Sequence, residues 1–240
     1  LTAITGTTIY LGFVHMARLE QETTQRIVQE RRERGHYQSL SDFVSRVKPG
    51  LEQLLILIRA GTFRFTGKAK ARLLWEAHLL AHGKREQEVQ AELFKLQEKE
   101  YKLPHMPQSW LEDAYDELEI IGFPVSASFF QMLQTSFRGE VMAGDMPRYD
   151  GKNVRMVGNL VTTKPTRTSR GERMFFGTFL DARGHFFDTV HFPGSLRDYP
   201  FQGQGLYLIL GLVTMEYGMP GLKVQKMAKL PIKPDPRAEG

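Results

Sequence analysis

The strongest constraint on this chain is the alternation of strand-like runs with turn residues through positions 152–229. Five short runs rich in Val, Phe, Leu and Thr follow one another at 154–161, 174–181, 185–192, 206–213 and 222–229. β-Branched and aromatic residues favour a pleated chain, and the Gly, Pro, Asp and Ser clusters between the runs stop any helix from spanning them. Asp181-Ala182-Arg183-Gly184 carries tight-turn chemistry, so the second and third runs are expected to pair as a hairpin. A longer insert at 193–205 separates the third run from the fourth and leaves room for one helical turn.

Five strands with a longer third connection fit the OB-fold, a small barrel that holds single-stranded nucleic acid or oligosaccharide. Charge placement favours the first. From Gly151 onward there are 13 Lys and Arg against 7 Asp and Glu, whereas the first 150 residues hold 19 against 20. The positive surplus therefore lies on the expected barrel, where it would attract a polyanion. Lys164, Arg167, Arg170 and Arg173 string along the connection from the first run into the second, which reads as a basic loop. Phe175, Phe176, Phe186 and Phe187 follow on the next two runs. Cations track phosphates and rings stack bases at roughly 1–3 kcal/mol each, so these eight residues are the expected single-strand site. Strand alternation sends one ring of each Phe pair into the core.

The first half reads as helical. Thr-rich strand character near Thr7–Tyr10 is expected to complete a sheet with an absent neighbour. A mostly solvated helix over 20–34 stops at Gly35, and a second begins at Ser39 or Ser41 and stops at Lys48-Pro49-Gly50. A third over 51–59 has apolar Leu51, Leu54, Leu55 and Ile58 in helical rhythm and stops at Gly61, and a fourth spans 68–80. Residues 1–82 thus form an all-α module, 83–150 a charged connector with a helix over 110–120, and 151–240 the barrel, giving an α+β chain.

Several chemistries find no support in the residue pattern. There are no cysteines, which removes disulfides and thiolate zinc sites and fits a reducing cytoplasm. The histidines show no metal spacing, and alternation places Asp188 and His191 on opposite faces of one strand. Ser195 lacks a nucleophile elbow and is expected as a helix cap. Asp145, Asp150, Asp181 and Asp188 fall in turns or strands, so no two-metal set, cofactor or catalytic residue is expected. No apolar run nears the roughly 20 residues of a membrane span. The chain begins with Leu1, which suggests a piece cut from something longer.

Ile9-Tyr10-Leu11-Gly12-Phe13 leading into Arg26-Ile27-Val28, then 43–47, Leu57-Ile58-Arg59-Ala60-Gly61-Thr62-Phe63, and Glu119-Ile120-Ile121-Gly122-Phe123-Pro124-Val125-Ser126 follow in order along the chain. This ordered set resembles the C-terminal region of the alpha subunit of bacterial DNA polymerase III. The resemblance implies a tandem helix-hairpin-helix module on duplex DNA, with contacts at Ala17, Arg18 and Arg26, and an OB domain near the template strand. Where that family has a glycine before a leucine, this chain has Arg18, whose side chain restricts the left-handed backbone but is itself able to meet a phosphate. Ala127-Ser128-Phe129 likewise departs from the usual Ser-x-His-Pro pattern. Gln90-Ala91-Glu92-Leu93-Phe94 fits the Gln-x-x-Leu-Phe peptide that docks on the bacterial sliding clamp, with Gln90, Leu93 and Phe94 as anchors. Val89, Leu93 and Leu96 equally form one helical stripe. The implied partners are DNA, the clamp and upstream polymerase domains that carry the nucleotidyltransferase chemistry absent from this chain. The alternatives are an accessory or translesion polymerase fragment acting through protein contacts, or an OB-type RNA binder.

Overall fold

A computed structural model of the chain describes residues 2–87 and 109–239 and divides it into two compact units, Leu1–Ser126 with Asp235–Gly240, and Ala127–Pro234. The boundary between units falls within the 83–150 segment. Gln90, Leu93 and Phe94 lie outside the described residues.

The first unit opens on a small hairpin, β1 (Ala3–Thr5) and β2 (Thr8–Tyr10), paired Ala3 to Tyr10 around Gly6 at φ 59°. The strand expected to serve an absent neighbour therefore has a local partner, because Gly6 supplies the positive φ of a tight turn. Among the described residues, five α-helices follow: α1 (Gln21–Arg34), α2 (Leu40–Val47), α3 (Leu51–Arg59), α4 (Lys70–Gln87) and α5 (Trp110–Ile121). The Ser39 hydroxyl accepts from Asp42 N–H to start α2, and Lys48 turns left-handed (φ 52°, ψ 47°) to end it before Pro49. α4 runs seven residues past the expected end at 80, because the Arg, Glu and Gln beyond Gly83 are good helix formers that carry it onward. The helices meet over Leu40, Phe43, Val47, Leu57 and Ile58, where the Phe43 ring takes Tyr37 and Phe63 edge-on at 4.9 and 5.0 Å.

The second unit is the expected barrel. A short α6 (Phe129–Met132), fixed by a reciprocal Ser128–Gln131 capping box, and a 3₁₀ stretch at Ala143–Tyr149 precede β3 (Asn153–Arg167). Then come β4 (Arg173–Leu180), β5 (Phe186–His191), α7 (Pro193–Asp198), β6 (Leu206–Glu216) and β7 (Met219–Lys229). The strands close in the order β3-β4-β5-β7-β6, antiparallel except for the β5–β7 pair, which is the OB-fold arrangement. β3 pairs β6 through Asn153–Asn159 and β4 from Asn159 to Arg167, bending at a bulge between Leu160 and Thr162. The capping role expected of Ser195 falls elsewhere: Pro193 starts α7 behind Phe192, and the Ser195 hydroxyl donates to the Phe192 carbonyl.

One face of every strand fills the interior with Met156, Phe179, Phe187, Tyr207 and Ile209. Gly158 makes room for the stacked rings of Phe179 and Phe187, since a Cβ there would lie 2.7 Å from the Phe187 ring. Buried Asp181 fixes the β4–β5 turn, accepting from Arg183 N–H and His185 N–H at 2.9 Å on one oxygen and from Ala143 N–H at 2.9 Å on the other.

His191 is wholly enclosed beside Phe201, ring centroids 4.5 Å apart. Thr189 donates its hydroxyl proton to the Gly177 carbonyl at 2.9 Å, so at 2.8 Å it accepts from His191 Nε2–H. That leaves Nδ1 bare, without a partner among the described residues. Burial pushes the ring's pKa down from 6.5 to about 4. The unfolded chain binds the proton first, so the neutral ring's contribution is complete above about pH 6.5 and is lost as pH falls toward 4. Between pH 7 and pH 4, denaturant titrations are expected to show a loss of up to about 3 kcal/mol from this group. His191→Gln should flatten that part of the profile, and an identical profile in the variant would show that another group governs it.

Candidate nucleic-acid interface

The outer face of β4 and β5 is dictated by what the inner face buries. Phe179 and Phe187 point inward, so Phe176, Thr178 and Leu180 on β4 and Phe186, Asp188 and Val190 on β5 share the other surface. Cross-strand pairing places Phe176 opposite Val190, Thr178 opposite Asp188 and Leu180 opposite Phe186. An open groove of about 460 Å³ runs over this face, between Thr162 and Lys164 on β3 and the β6–β7 hairpin with Thr214, Glu216 and Met219.

The basic connection is a ribbon rather than a loop. Thr162, Thr163 and Thr166 extend β3 six residues past 161, so Lys164 pairs with Phe176 and Arg167 with Arg173. Pro165 is tolerated because β3 has by then lost β6 as a neighbour and has no ladder to break on that edge. Only 168–172 form the turn, with Arg170 exposed within it. Arg167 donates to the Gly171 carbonyl at 3.1 Å, and the Arg173 guanidinium lies 4.9 Å over the Phe175 ring. Among the described residues, none of Lys164, Arg167, Arg170 and Arg173 forms a salt bridge. The ribbon therefore projects four cations that no carboxylate among the described residues pairs with.

The four phenylalanines divide by depth. Phe176 and Phe186 are 43% and 64% exposed and present ring surface to solvent. Phe187, at 4%, stacks on Phe179 with centroids 5.6 Å apart, so its ring is not available to a base. Phe175 is half-buried between Arg173 and Phe201.

The β6–β7 tip carries an aromatic residue outside the set expected from the sequence. Tyr217 and Gly218 turn the hairpin at φ 53° and 81°, and Tyr217 is fully exposed. A left-handed tyrosine costs on the order of 1 kcal/mol, and such a turn ordinarily takes Asn-Gly. An aromatic ring held there beside exposed Met219, at the rim of the groove, is the signal that a search for aromatic turn residues would have found.

The helical unit is arranged differently. Arg18 adopts φ 62°, so the left-handed turn survives without glycine. Its guanidinium donates to Glu119 at 2.7 Å and its carbonyl accepts from Gln53. Ala17 N–H donates to the Ile120 carbonyl at 2.7 Å, and Glu20 N–H to Gln53 Oε1 at 2.8 Å. Arg26 is half-buried on α1, its Nε without a partner among the described residues. The acidic side of α5 continues this neutralisation: Arg59 pairs with Asp116 and Glu119, Arg64 with Glu117, Lys70 with Asp113 and Asp116, and Arg237 with Asp116. A second open groove, about 660 Å³, has largely apolar walls that include Phe13, Val28 and Phe65, with Arg31 and Arg32 on its rim.

Glu117 is the most enclosed of these carboxylates, 1% exposed. Burial pushes its pKa up. The N–H groups of Ser126 and Val125, the Arg64 guanidinium and the Ser126 hydroxyl together outweigh that and hold it below the usual carboxylate range. Removing one partner of a buried charged network leaves the others unpaired, so Glu117→Gln is expected to destabilise the chain by about 3 kcal/mol in urea unfolding. A change below about 0.5 kcal/mol would show that these bonds do not fix the end of α5.

Residues 1–73 match the model of the helix-hairpin-helix motif family. No curated protein sequence matches the chain. Among solved structures, a Klebsiella pneumoniae lipoprotein described as a candidate nucleic-acid binder is 19% identical over 35% of this chain and 78% of its own, with a TM-score of 0.28. The second OB-fold domain of replication protein A from Methanococcus maripaludis is 12% identical over 35% of this chain and 90% of its own, with a TM-score of 0.26. The first 73 residues thus carry a helix-hairpin-helix motif, while the strand order and the parallel β5–β7 pair define the barrel as an OB-fold.

Proposed function

We propose that the barrel unit holds single-stranded DNA along the outer face of β4 and β5, as part of the C-terminal region of a bacterial DNA polymerase III alpha subunit. The observation that carries this reading is the groove itself: exposed Phe176 on its floor, Lys164 on its wall, and a ribbon of cations without salt bridges beside it. Stacking supplies affinity indifferent to sequence, and the cations follow the phosphates. Exposed Phe186 and Tyr217 add aromatic surface beside the groove lining. The helix-hairpin-helix motif suits the same polymer. Contact with duplex DNA through Ala17, Arg18 and Arg26 requires Glu119 and Ile120 on α5 to yield their bonds, so the helical unit contributes less than the barrel. That neutralised surface also favours a second reading for the helical unit alone, contact with protein.

Charge reversal of Arg167, Arg170 and Arg173 is expected to weaken single-strand binding and to reduce the slope of log K against log salt by about 2, as three lost phosphate contacts require. Fluorescence anisotropy of labelled oligonucleotides across a salt series measures this, and an unaltered slope would move the contact elsewhere. Stronger binding to structured RNA than to single-stranded DNA would instead support an RNA-binding role.

Gln90, Leu93 and Phe94 serve, in this reading, as the peptide that docks on the sliding clamp and keeps a polymerase on its template. Tethering raises effective concentration and adds no chemistry. Replacing the three with Ala should abolish retention on immobilised clamp while circular dichroism stays unchanged, and undiminished retention would remove the docking role.

A further inference from the structure

The floor of the groove contains a group that phosphate tracking would not select. Asp188 stands exposed on β5, two residues beyond Phe186 and two before Val190, whose cross-strand partner is Phe176. Successive outward residues on a strand lie about 7 Å apart, so the carboxylate sits midway between two exposed rings. No cation pairs with Asp188 among the described residues, whereas the other groove carboxylate, Glu216, is paired with Lys223 at 3.4 Å. Among the described residues, its carboxylate accepts one hydrogen bond, from the hydroxyl of Thr178 directly opposite on β4, at 2.7 Å to Oδ1. A carboxylate only accepts, so the Thr178 proton is committed and the pair offers further donors a fixed anionic acceptor.

Such a group repels phosphate and attracts donors. Held between stacking platforms, it faces base edges, and the bases differ sharply in what they offer. Guanine presents two adjacent donors, N1–H and the 2-amino group, that match both oxygens of a carboxylate. Cytosine and adenine present one amino group beside an acceptor nitrogen. Thymine presents N3–H between two carbonyl oxygens that oppose the charge. We infer that Asp188, oriented by Thr178, gives the groove a preference for a guanine at its centre. The inference rests on the barrel being a single-strand holder and adds base selection to it.

The full 240-residue chain is titrated by fluorescence anisotropy with labelled oligo(dT) strands of about ten nucleotides that carry one central dG, deoxyinosine, dC, dA or dT. A single substituted base keeps the strands from folding on themselves. The expected result is binding to all five, with dG tighter than dT by about ten-fold and deoxyinosine, which lacks the 2-amino group, in between. Asp188→Ala should bring the five to equal affinity without loss of binding to the dT strand, and Asp188→Asn, which keeps shape but not charge, should also lose the dG advantage. Thermal melting of each variant reports whether the barrel is intact. Equal affinities in the wild-type chain, or a dG preference that persists in a folded Asp188→Ala, would overturn base selection while leaving the single-strand reading in place. Failure of the wild-type chain to bind any of the five would overturn both.

Discussion

Closure of the five strands is the constraint from which the rest of the barrel follows. Once β3 is paired on both sides and β5 meets β7 in parallel, side chains on β4 and β5 alternate between a sealed interior and the outer face. Phe179, Phe187 and Tyr207 fill the inside, and the two phenylalanines pack on the bare backbone of Gly158. Phe176, Asp188 and Phe186 are then committed to the outside by period alone. The candidate surface is thus not an addition to the fold: the packing that stabilises the interior also sets which rings and charges meet solvent, and in what order.

The α5 face of the helical unit and the β3–β4 ribbon of the barrel handle charge in opposite ways. In the helical unit, α5 lays Asp113, Asp116, Glu117 and Glu119 against Arg18, Arg59, Arg64, Lys70 and Arg237, so the cations are spent on holding the chain together. Some of these pairs are well enclosed, and their value lies in the cost of breaking them rather than in net stabilisation. On the barrel, the cations of the β3–β4 ribbon project from an element too narrow to bury them and form no salt bridge among the described residues. Formal charge alone would not have separated these two cases. The pairings that each cation makes within its own unit do.

Much of the fold was legible in the sequence because the signals were local. Gly35, Lys48-Pro49-Gly50 and Gly61 stop helices by backbone geometry, and Asp181 to Gly184 forms the expected turn. What could not be read depends on pairing. The extension of β3 through Thr166 arises only because β4 offers a partner at Met174, which converts a presumed loop into a ribbon. Which phenylalanine of each pair faces out required the register, and both exposed rings, Phe176 and Phe186, lie on the same face. Tyr217 was not legible because a tyrosine before glycine is an ordinary dipeptide, and only the fold sets its left-handed backbone and full exposure. Arg18 shows the converse, since the turn that glycine would have eased is formed regardless, held by Glu119, Gln53 and the neighbouring Ala17–Ile120 bond.

The central claim is that an unpaired strand lies on the outer face of β4 and β5. Amide chemical-shift mapping of the isotopically labelled chain, titrated with a ten-nucleotide single strand, addresses that claim most directly. The account predicts that shifts concentrate on the residues around Lys164, Phe176, Asp188 and Tyr217, with the interior neighbours of Tyr207 little changed. Shifts confined to α1 through α5, or none at saturating strand, would contradict it.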